Sequence, residues 1–241
     1  MGRAIFGIQP VREAIRVHGA ELERIFVQQS GGPTLEGLIR FAEGRGVTVE
    51  LVSRGDLDRR AAGGRHQGAI ALAPELRLVP LESLEVGPAA LFVALDGVMD
   101  PQNFGAVIRS AVALGATAIL WPEHSSAPLS PATFRASAGA IEHAALCRVP
   151  QLAEALQALA ARGVMAVALD AQGTIDLGAV DLRGPVVIVI GAEDKGIRRP
   201  VRAACQHTAR LPMRGPVGSL NASVAGAIAL YEVVRQRSAA P

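Results

Sequence analysis

Cysteine, lysine and long apolar runs are all scarce in this chain of 241 residues. The two cysteines, Cys147 and Cys205, form no CxxC or other spacing typical of a metal site, so we expect neither zinc nor a disulfide. The longest apolar runs, such as residues 186–190, fall far short of the ~18 residues that a membrane span needs. Since residues 1–6 also lack the apolar segment of a secretory signal, we expect a soluble, cytoplasmic protein without membrane attachment.

Lysine is nearly absent, because Lys195 is the one lysine among 24 basic residues. The formal net charge is only +2, so any nucleic-acid contact must come from local patches rather than from a uniform field. Arginine suits phosphate well because its planar fork can bind two oxygens at once. Two arginine clusters are candidates, although a solvated charged surface is the better explanation of each cluster taken alone: Arg59, Arg60 and Arg65; Arg198, Arg199 and Arg202.

Several common catalytic motifs are missing as well. No GxGxxG follows a strand-like run and no GxxxxGK[ST] occurs, which removes the main support for a dinucleotide-binding enzyme or an ATPase. There is no GxSxG, and the five histidines have no metal-ligand spacing. Hydrolase and metalloenzyme functions are therefore disfavoured, and we expect no metal.

The first third of the chain alternates short helical and extended patterns. Residues 11–17 and 35–43 have helical periodicity, whereas residues 24–28, 47–52 and 68–73 are typical of strands. The segment between residues 74 and 88 contains prolines at three points and has no sustained helical or strand periodicity, which indicates a linker. We therefore predict a small α/β domain over residues 1–79, a linker to about residue 88, and a second domain over residues 89–241.

The second domain contains continuous apolar runs separated by helical stretches. Such runs indicate strands that are covered on both faces, which predicts an α/β fold with a mostly parallel sheet and helices on both sides. Ligands of such folds gather in the loops that follow the carboxyl ends of the strands. The runs lie at residues 90–95, 117–121, 164–169 and 186–190, and the helical stretches at residues 104–114 and 152–161.

Three segments near these strand ends are candidates for a site. In residues 95–111, Asp100 before Pro101 is typical of a helix N-cap, which puts Asn103 at the strand edge. Arg109 lies six residues further on and could reach back to bind a phosphate. A capped turn followed by a surface arginine is an equally good reading of this segment alone.

The second and third segments are less specific when each is taken alone. In residues 186–197 a buried strand leads to Gly191, where a ligand could approach the backbone, with Glu193 at the mouth of the site. Taken alone, that segment is better explained by a plain strand-to-helix turn. In residues 211–225 an irregular loop precedes an apolar helix, which Ser219 and Asn221 open with polar side chains. Helix N-capping accounts fully for Ser219.

Taken together and in this order, the three segments resemble the three signature motifs of the SpoU class of SPOUT methyltransferases. Residues 137–140, Ser-Ala-Gly-Ala, resemble a further segment of that family. Residues 6–14 and 66–68 are similar to the substrate-binding domain of the RlmB-type ribosomal RNA enzymes, so the resemblance covers nearly the whole chain. Three positions depart from the family pattern: Gln9 replaces a common histidine, Asp194 a small residue and Ala222 a valine.

The resemblance implies a deep trefoil knot near the carboxyl end, a homodimer whose interface adjoins the site, and S-adenosylmethionine as cofactor. It implies that the cofactor lies against Gly191, Leu211 and Leu220, with Ile190 and Met213 nearby. The residues that it implies for catalysis and ribose orientation are Asn103, Arg109, Glu193, Ser219 and Asn221. For RNA binding by the first domain, it suggests Arg65 and His66, although His66 could equally be a buried histidine satisfied by hydrogen bonds.

The implied reaction is direct transfer of the sulfonium methyl to a ribose 2'-hydroxyl, with guanosine of large-subunit ribosomal RNA as the expected acceptor. Because a guanidinium is a poor base at neutral pH, we expect Arg109 to hold a substrate phosphate, with that phosphate or water accepting the proton. Two alternatives stay open. One is a transfer-RNA ribose methyltransferase, and the other is a non-catalytic RNA-binding ribosome factor that keeps the fold.

Overall fold

The computed structural model describes residues 2–239, which form two compact units. The first unit comprises the described residues up to Arg77 and the later segment Leu129–His143. The second comprises Leu78–Pro128 and the described residues from Ala144 onward. The segment Leu129–His143, which lies in the predicted second domain, thus packs within the first unit.

The first unit is built around a four-stranded mixed sheet with the order β1-β4-β2-β3. Strand β4 is antiparallel to both β1 and β2, and β2 is parallel to β3. The five predicted elements are confirmed, whereas β1 and α3 were not predicted. The elements are β1 (Arg3–Phe6), α1 (Ile8–His18), β2 (Arg24–Gln28), α2 (Gly32–Glu43), β3 (Val49–Val52), α3 (Arg54–Ala61) and β4 (Ala69–Ala73).

A buried ion pair joins the segment Leu129–His143 to the rest of the first unit. Arg3 Nη1 donates to Glu142 Oε1 at 2.8 Å, and His18 Nε2 lies 2.8 Å from Glu142 Oε2. The Glu142 side chain is only 1% exposed. Gly139 adopts φ +87°, and a Cβ there would lie 2.8 Å from Pro10 Cα, so only glycine fits at this contact.

The second unit is a seven-stranded sheet with the order β7-β6-β5-β10-β8-β11-β9, and every pairing in it is parallel. The predicted parallel sheet is confirmed. The elements of the second unit, and α5 of the first, are β5 (Leu91–Asp96), α4 (Pro101–Ala113), β6 (Ala118–Pro122), α5 (Pro131–Ala136), β7 (Leu146–Val149), α6 (Leu152–Ala161), β8 (Met165–Leu169), β9 (Ile175–Asp176), β10 (Val186–Gly191), α7 (Arg199–Ala203), β11 (His207–Arg210) and α8 (Ala222–Ser238).

Helices cover both faces of this sheet, as the continuous apolar runs predict. Helices α6 and α7 pack on the face that carries Phe92 and Val187, while α4 and α8 pack against each other and α8 also packs on β10. Helix α8 comes so close to β10 that a Cβ at Gly226 would lie 2.6 Å from Ile190 Cδ1. Burial on both faces explains why β5 and β10 contain almost no polar residue.

The carboxyl ends of β5 and β10 are neighbours, with Asp96 in register with Gly191. The loops that follow these two strands, the first and second candidate segments, therefore start side by side. None of the helices within residues 2–239 is both long and apolar enough to cross a membrane. The trefoil knot stays a prediction.

Candidate active site

Helix α4 begins as its sequence predicts. The Asp100 carboxylate accepts hydrogen bonds from the backbone N–H groups of Gln102 and Asn103, both at 3.2 Å, and Pro101 occupies the first helical position. An N-cap of this kind satisfies two of the N–H groups that a helix start leaves free. The cap confirms the predicted helix start and fixes Asn103 in the first turn.

The second segment closes into a tight turn directly after β10. Ala192 and Gly196 exchange backbone hydrogen bonds of 3.2 and 2.9 Å, so Glu193, Asp194 and Lys195 occupy the tip of a closed loop. A Cβ at Gly191 would lie 2.4 Å from the backbone carbon of Gly196. The lack of a side chain at Gly191 therefore makes room for the chain's own turn, and the close approach of a ligand to this glycine stays a prediction.

The third segment is irregular until α8 begins at Ala222. The Asn221 Oδ1 accepts from the backbone N–H groups of Ser223 and Val224 at 3.0 and 3.3 Å, so Asn221 is the helix N-cap. The expectation that capping accounts for Ser219 is corrected, since Ser219 precedes the cap by two residues. That leaves Ser219 in the loop, where it lines a cleft described below.

One polar network joins the three segments. Asn103 Nδ2 donates to Glu193 Oε1 at 3.1 Å, and Asn221 Nδ2 donates to Asn103 Oδ1 at 2.9 Å and also to Glu193 Oε1. The backbone N–H of Ala222 donates to the same Glu193 oxygen at 3.2 Å. Glu193 Oε1 thus receives three donors, whereas Glu193 Oε2 accepts no hydrogen bond from the residues described. The network leaves one carboxylate oxygen available to a ligand.

A first cleft lies beside this network, at the carboxyl ends of β8 and β10. All five residues predicted to contact the cofactor line it, together with Glu193 and Ser219. Its surface consists mainly of apolar side chains and backbone, which suits an adenine ring and a ribose. The lining residues are Leu169, Asp170, Ala171, Ile190, Gly191, Ala192, Glu193, Gly196, Leu211, Met213, Gly218, Ser219, Leu220, Ala222 and Ala225.

The end of β8 contributes a wall of this cleft that sequence reasoning missed. Leu169, Asp170 and Ala171 line it, and the Asp170 carboxylate is paired with the Arg202 guanidinium. The signal was present in principle, because the apolar run at residues 164–169 predicted a parallel strand whose carboxyl end belongs to the same edge. What the sequence could not give was the strand order that makes β8 the neighbour of β10.

A second cleft adjoins the first, and Ala192, Glu193, Gly196 and Ala222 line both. Unlike the first, it is rich in charged side chains. Its remaining walls come from the end of β5 and the residues up to the first turn of α4, from the segment after β10, and from Ser125 in the loop after β6. They are Asp96, Gly97, Val98, Met99, Asp100, Asn103, Ser125, Asp194, Lys195 and Arg198.

Arg109 is not part of the network. It sits on the exposed face of α4, whose buried residues include Phe104 and Ile108, and it has no hydrogen-bond or ion-pair partner among residues 2–239. The arginine cluster at residues 198–202 is different, because Arg198 binds Asp96 and Arg202 binds Asp170. These two arginines are paired with carboxylates of the protein and are poorer candidates for phosphate binding than the sequence suggested.

In the first unit, His66 is buried and its two ring nitrogens are both engaged. Nδ1 accepts the backbone N–H of Gly68 at 3.0 Å, and Nε2 lies 2.9 Å from Asp58 Oδ1. The alternative of a satisfied buried histidine therefore describes this residue. Arg65 lines a small cleft of the first unit together with Arg54 and Gln28, two residues that the sequence analysis did not single out.

Comparison with known proteins finds family models that match both parts of the chain. Residues 90–231 match the model of the "SpoU rRNA Methylase family", and residues 4–79 match a model described as "RNA 2'-O ribose methyltransferase substrate binding". The 23S rRNA (guanosine-2'-O-)-methyltransferase RlmB of Pseudomonas syringae pv. tomato is 38% identical, covering 98% of this chain and 96% of that protein. A protein of Mycolicibacterium vanbaalenii named "Uncharacterized tRNA/rRNA methyltransferase" is 37% identical, covering 98% and 77%.

Among solved structures, the SpoU methyltransferase AviRb from Streptomyces viridochromogenes in complex with the cofactor AdoMet is similar at a TM-score of 0.82 and 27% identity. The alignment covers 100% of this chain and 92% of that one. The family model spans more than half of the chain, and the RlmB relative is matched along nearly its whole length. This chain therefore belongs to the SpoU rRNA methylase family.

Proposed function

We propose that this protein transfers a methyl group from S-adenosylmethionine to a ribose 2'-hydroxyl of ribosomal RNA, at a guanosine of the large subunit. One observation carries the proposal: Asn103, Glu193 and Asn221, from three separate segments, form a single network beside an apolar cleft. A relative that aligns with nearly the whole chain is named for guanosine-2'-O-methylation of 23S rRNA, which supports the finer substrate assignment.

The chemistry of the first cleft fits the proposed methyl donor. Leu211, Met213 and Leu220 offer apolar contacts to an adenine ring, and the backbone of the loop offers hydrogen-bond groups. Glu193, the carboxylate at the centre of the network, also lines this cleft and complements a positive sulfur. S-adenosylmethionine supplies an electrophilic methyl group, so the protein's own residues need only hold and orient the acceptor.

The network would orient the acceptor ribose. Glu193 Oε1 is held by three donors, which fixes the carboxylate and leaves Oε2 free to accept a hydrogen bond from a ribose hydroxyl. Asn103 lines the second cleft and would contact the ribose from that side. Positioning of this kind contributes roughly 7–11 kcal/mol to barrier reduction in well-oriented reactions. Ser219, in the loop that lines the first cleft, would help to hold the donor and the ribose together.

Arg109 would act from the exposed face of α4 by binding a phosphate next to the acceptor ribose. An arginine without an internal partner is available for this contact, and its planar fork suits two phosphate oxygens. Because the guanidinium stays protonated, it would stabilise developing negative charge, while that phosphate or water accepts the proton.

Substrate selection would fall to the predicted first domain, residues 1–79. The matched family model names this region for substrate binding by RNA 2'-O ribose methyltransferases. Arg65 and Arg54 line one small cleft with Gln28, so two cations and an amide could meet an RNA backbone and a base there. His66 would serve mainly to hold the turn that presents Arg65, because both of its nitrogens are occupied.

The protein would work as a homodimer. Helix α8 buries Ala229, Leu230 and Val233 yet exposes Val224, Ile228 and Tyr231 on its other face, so it is apolar on two sides. Those exposed residues recur at helical spacing and form a stripe that a second copy could cover. Asn221 of the network caps this helix, so such an interface would adjoin the site.

Methyl transfer to ribosomal RNA tests the proposal directly. Tritiated S-adenosylmethionine is incubated with the full chain and unmodified 23S, 16S or transfer RNA, and the labelled ribose is mapped. We expect label on a guanosine of 23S rRNA. Label on transfer RNA would support the alternative that the Mycolicibacterium relative's name leaves open. Absence of label on every RNA, with no heat of S-adenosylmethionine binding by calorimetry, would favour a non-catalytic ribosome factor.

A further inference from the structure

The second cleft lies on the other side of Glu193 from the first, and no role has yet been given to most of its walls. Its volume of about 570 Å³ is within the range of small-molecule sites. Because it shares Glu193 with the first cleft and contains Asn103, a nucleotide whose ribose meets the network would place its base in or beside this cleft.

The tip of the turn after β10 lines this cleft. Ala192 and Gly196 close the turn with two backbone hydrogen bonds, and Gly191 is packed against the Gly196 backbone. Glu193 lines both clefts, but Asp194 and Lys195 line only the second. The turn therefore contributes one carboxylate and one ammonium group, from consecutive residues, to the same cleft.

Most other charges of the cleft are already engaged. The Arg198 backbone N–H and Nε bind the two carboxylate oxygens of buried Asp96, both at 2.7 Å. Asp100 caps α4, and Glu193 holds the network. Within residues 2–239, Asp194 and Lys195 are the charged residues of this cleft that have no hydrogen-bond or ion-pair partner.

The balance of charge disfavours a phosphate in this cleft. Once the Asp96–Arg198 pair is set aside, three carboxylates face one ammonium group, and like charges repel at short range. A nucleobase has no charge but offers both hydrogen-bond donors and acceptors along its edge. Such an edge suits a wall that presents an acceptor and a donor in adjacent positions.

We infer that the second cleft receives the base of the acceptor nucleotide, and that Asp194 and Lys195 recognise guanine by its Watson–Crick edge. The inference rests on the proposed function and adds the residues that select the base. The Asp194 carboxylate accepts from N1–H and from the 2-amino group, and the Lys195 ammonium donates to O6. Guanine alone among the four bases places two N–H donors beside a carbonyl oxygen on this edge.

The other bases fit this wall less well. Adenine and cytosine present a ring nitrogen acceptor beside their amino group, which would face the carboxylate with a lone pair. Uracil offers one N–H between two carbonyl oxygens, so one carboxylate oxygen would lack a donor. Met99, which lines the cleft and is 60% exposed, provides a polarisable side chain against which the base face can pack.

Two acceptors and three proteins test the inference. Methyl transfer is measured on 23S rRNA that is assembled by splint ligation, so that the mapped target position carries either guanosine or inosine. Inosine differs from guanosine only in lacking the 2-amino group. The proteins are wild type, Asp194→Asn and, as a matched control, Glu154→Gln, an exposed carboxylate on α6 outside both clefts. Binding of S-adenosylmethionine is measured by calorimetry for each.

We expect wild type and Glu154→Gln to prefer guanosine over inosine by about 10- to 100-fold in kcat/KM, as for a good bidentate contact to a base. Asp194→Asn should lose most of that preference, with kcat/KM on guanosine falling by a similar factor and cofactor affinity unchanged. Equal use of guanosine and inosine by wild type, or an intact preference in Asp194→Asn, would overturn base recognition while leaving methyl transfer established. Label that maps to another nucleoside would do the same. Wild type that transfers no methyl group would instead overturn the proposed function and, with it, this inference.

Discussion

Asn221 donates a side-chain hydrogen bond of 2.9 Å to Asn103 Oδ1, although the two residues are 118 positions apart in the chain. Each residue stands at the start of a helix, Asn221 as the cap of α8 and Asn103 in the first turn of α4. The same Asn221 amide that caps α8 through Oδ1 reaches the other segments through Nδ2. One side chain thus joins a local helix start to the centre of the candidate site.

Two substitutions at Asn221 separate these roles. Asn221→Ala removes the cap as well as the network, so we expect a loss of about 1 kcal/mol in the free energy of unfolding and a loss of methyl transfer. Asn221→Ser keeps an oxygen that can cap α8 but lacks the amide donor. It should restore stability in urea denaturation without restoring kcat. Equal recovery of both properties would show that the network contributes nothing beyond the cap.

Arg109→Lys tests phosphate binding on α4. Lysine keeps the charge but loses the planar fork, so we expect kcat/KM for RNA methylation to fall by about 100-fold while S-adenosylmethionine affinity stays unchanged. Arg40→Lys, on α2 of the first unit, serves as a matched control, because Arg40 is likewise exposed on a helix. Near-normal turnover of Arg109→Lys would remove Arg109 from the mechanism.

The sequence predicted the central strands of the second unit well and its outer strands poorly. Residues 186–190 could be recognised because both faces of β10 are covered, which requires a continuous apolar run. Strand β11, His207–Arg210, has partly exposed polar side chains, and β7 carries the exposed Arg148, so neither leaves an apolar run. Helix α3 was missed for a related reason, since its charged residues outnumber the buried Leu57 and Ala61.

The candidate site was predictable in its members but not in its contacts. The motif resemblance named Asn103, Glu193 and Asn221, yet no periodicity indicates that Asn221 rather than Ser219 caps α8. The packing of Gly191 against Gly196 is a contact between backbones, which side-chain patterns do not encode. The threading of a knot is likewise a property of the whole chain path, and short-range sequence signals carry no information on it.

The buried Glu142 should be essential to the stability of the first unit. Removing its carboxylate in Glu142→Ala leaves Arg3 buried without its partner, so we expect a loss of about 3–5 kcal/mol in the free energy of unfolding. Glu123→Ala is the matched control, because the Glu123–Arg148 pair is exposed and 4.0 Å long, and should cost roughly 0–1 kcal/mol. Urea denaturation followed by circular dichroism measures both, and equal effects would contradict the role of burial.

Both thiols should be unreactive in the folded protein. Burial raises the pKa of Cys147 to about 11, and burial, with a further contribution from the Asp96 carboxylate, raises that of Cys205 to about 12. At pH 8 the thiolate fraction of Cys147 is then only ~0.1%, and the thiolate is the reactive form. We expect a disulfide reagent to titrate two thiols in guanidinium chloride and almost none in the native protein at pH 8. Rapid native labelling would show that one of these residues is accessible and ionised.

The exposed face of α8 predicts how the dimer should be broken. Val224, Ile228 and Tyr231 are 47%, 43% and 59% exposed, so a carboxylate at Ile228 would be solvated in a monomer but buried in an interface. We expect Ile228→Asp to convert a dimer to a folded monomer in sedimentation equilibrium and to lower methyl transfer, since the interface would adjoin the site. Ala158→Asp introduces the same charge on the exposed face of α6 and should leave the mass unchanged. A wild-type monomer, or a dimer that survives Ile228→Asp, would show that this apolar stripe does not join two copies.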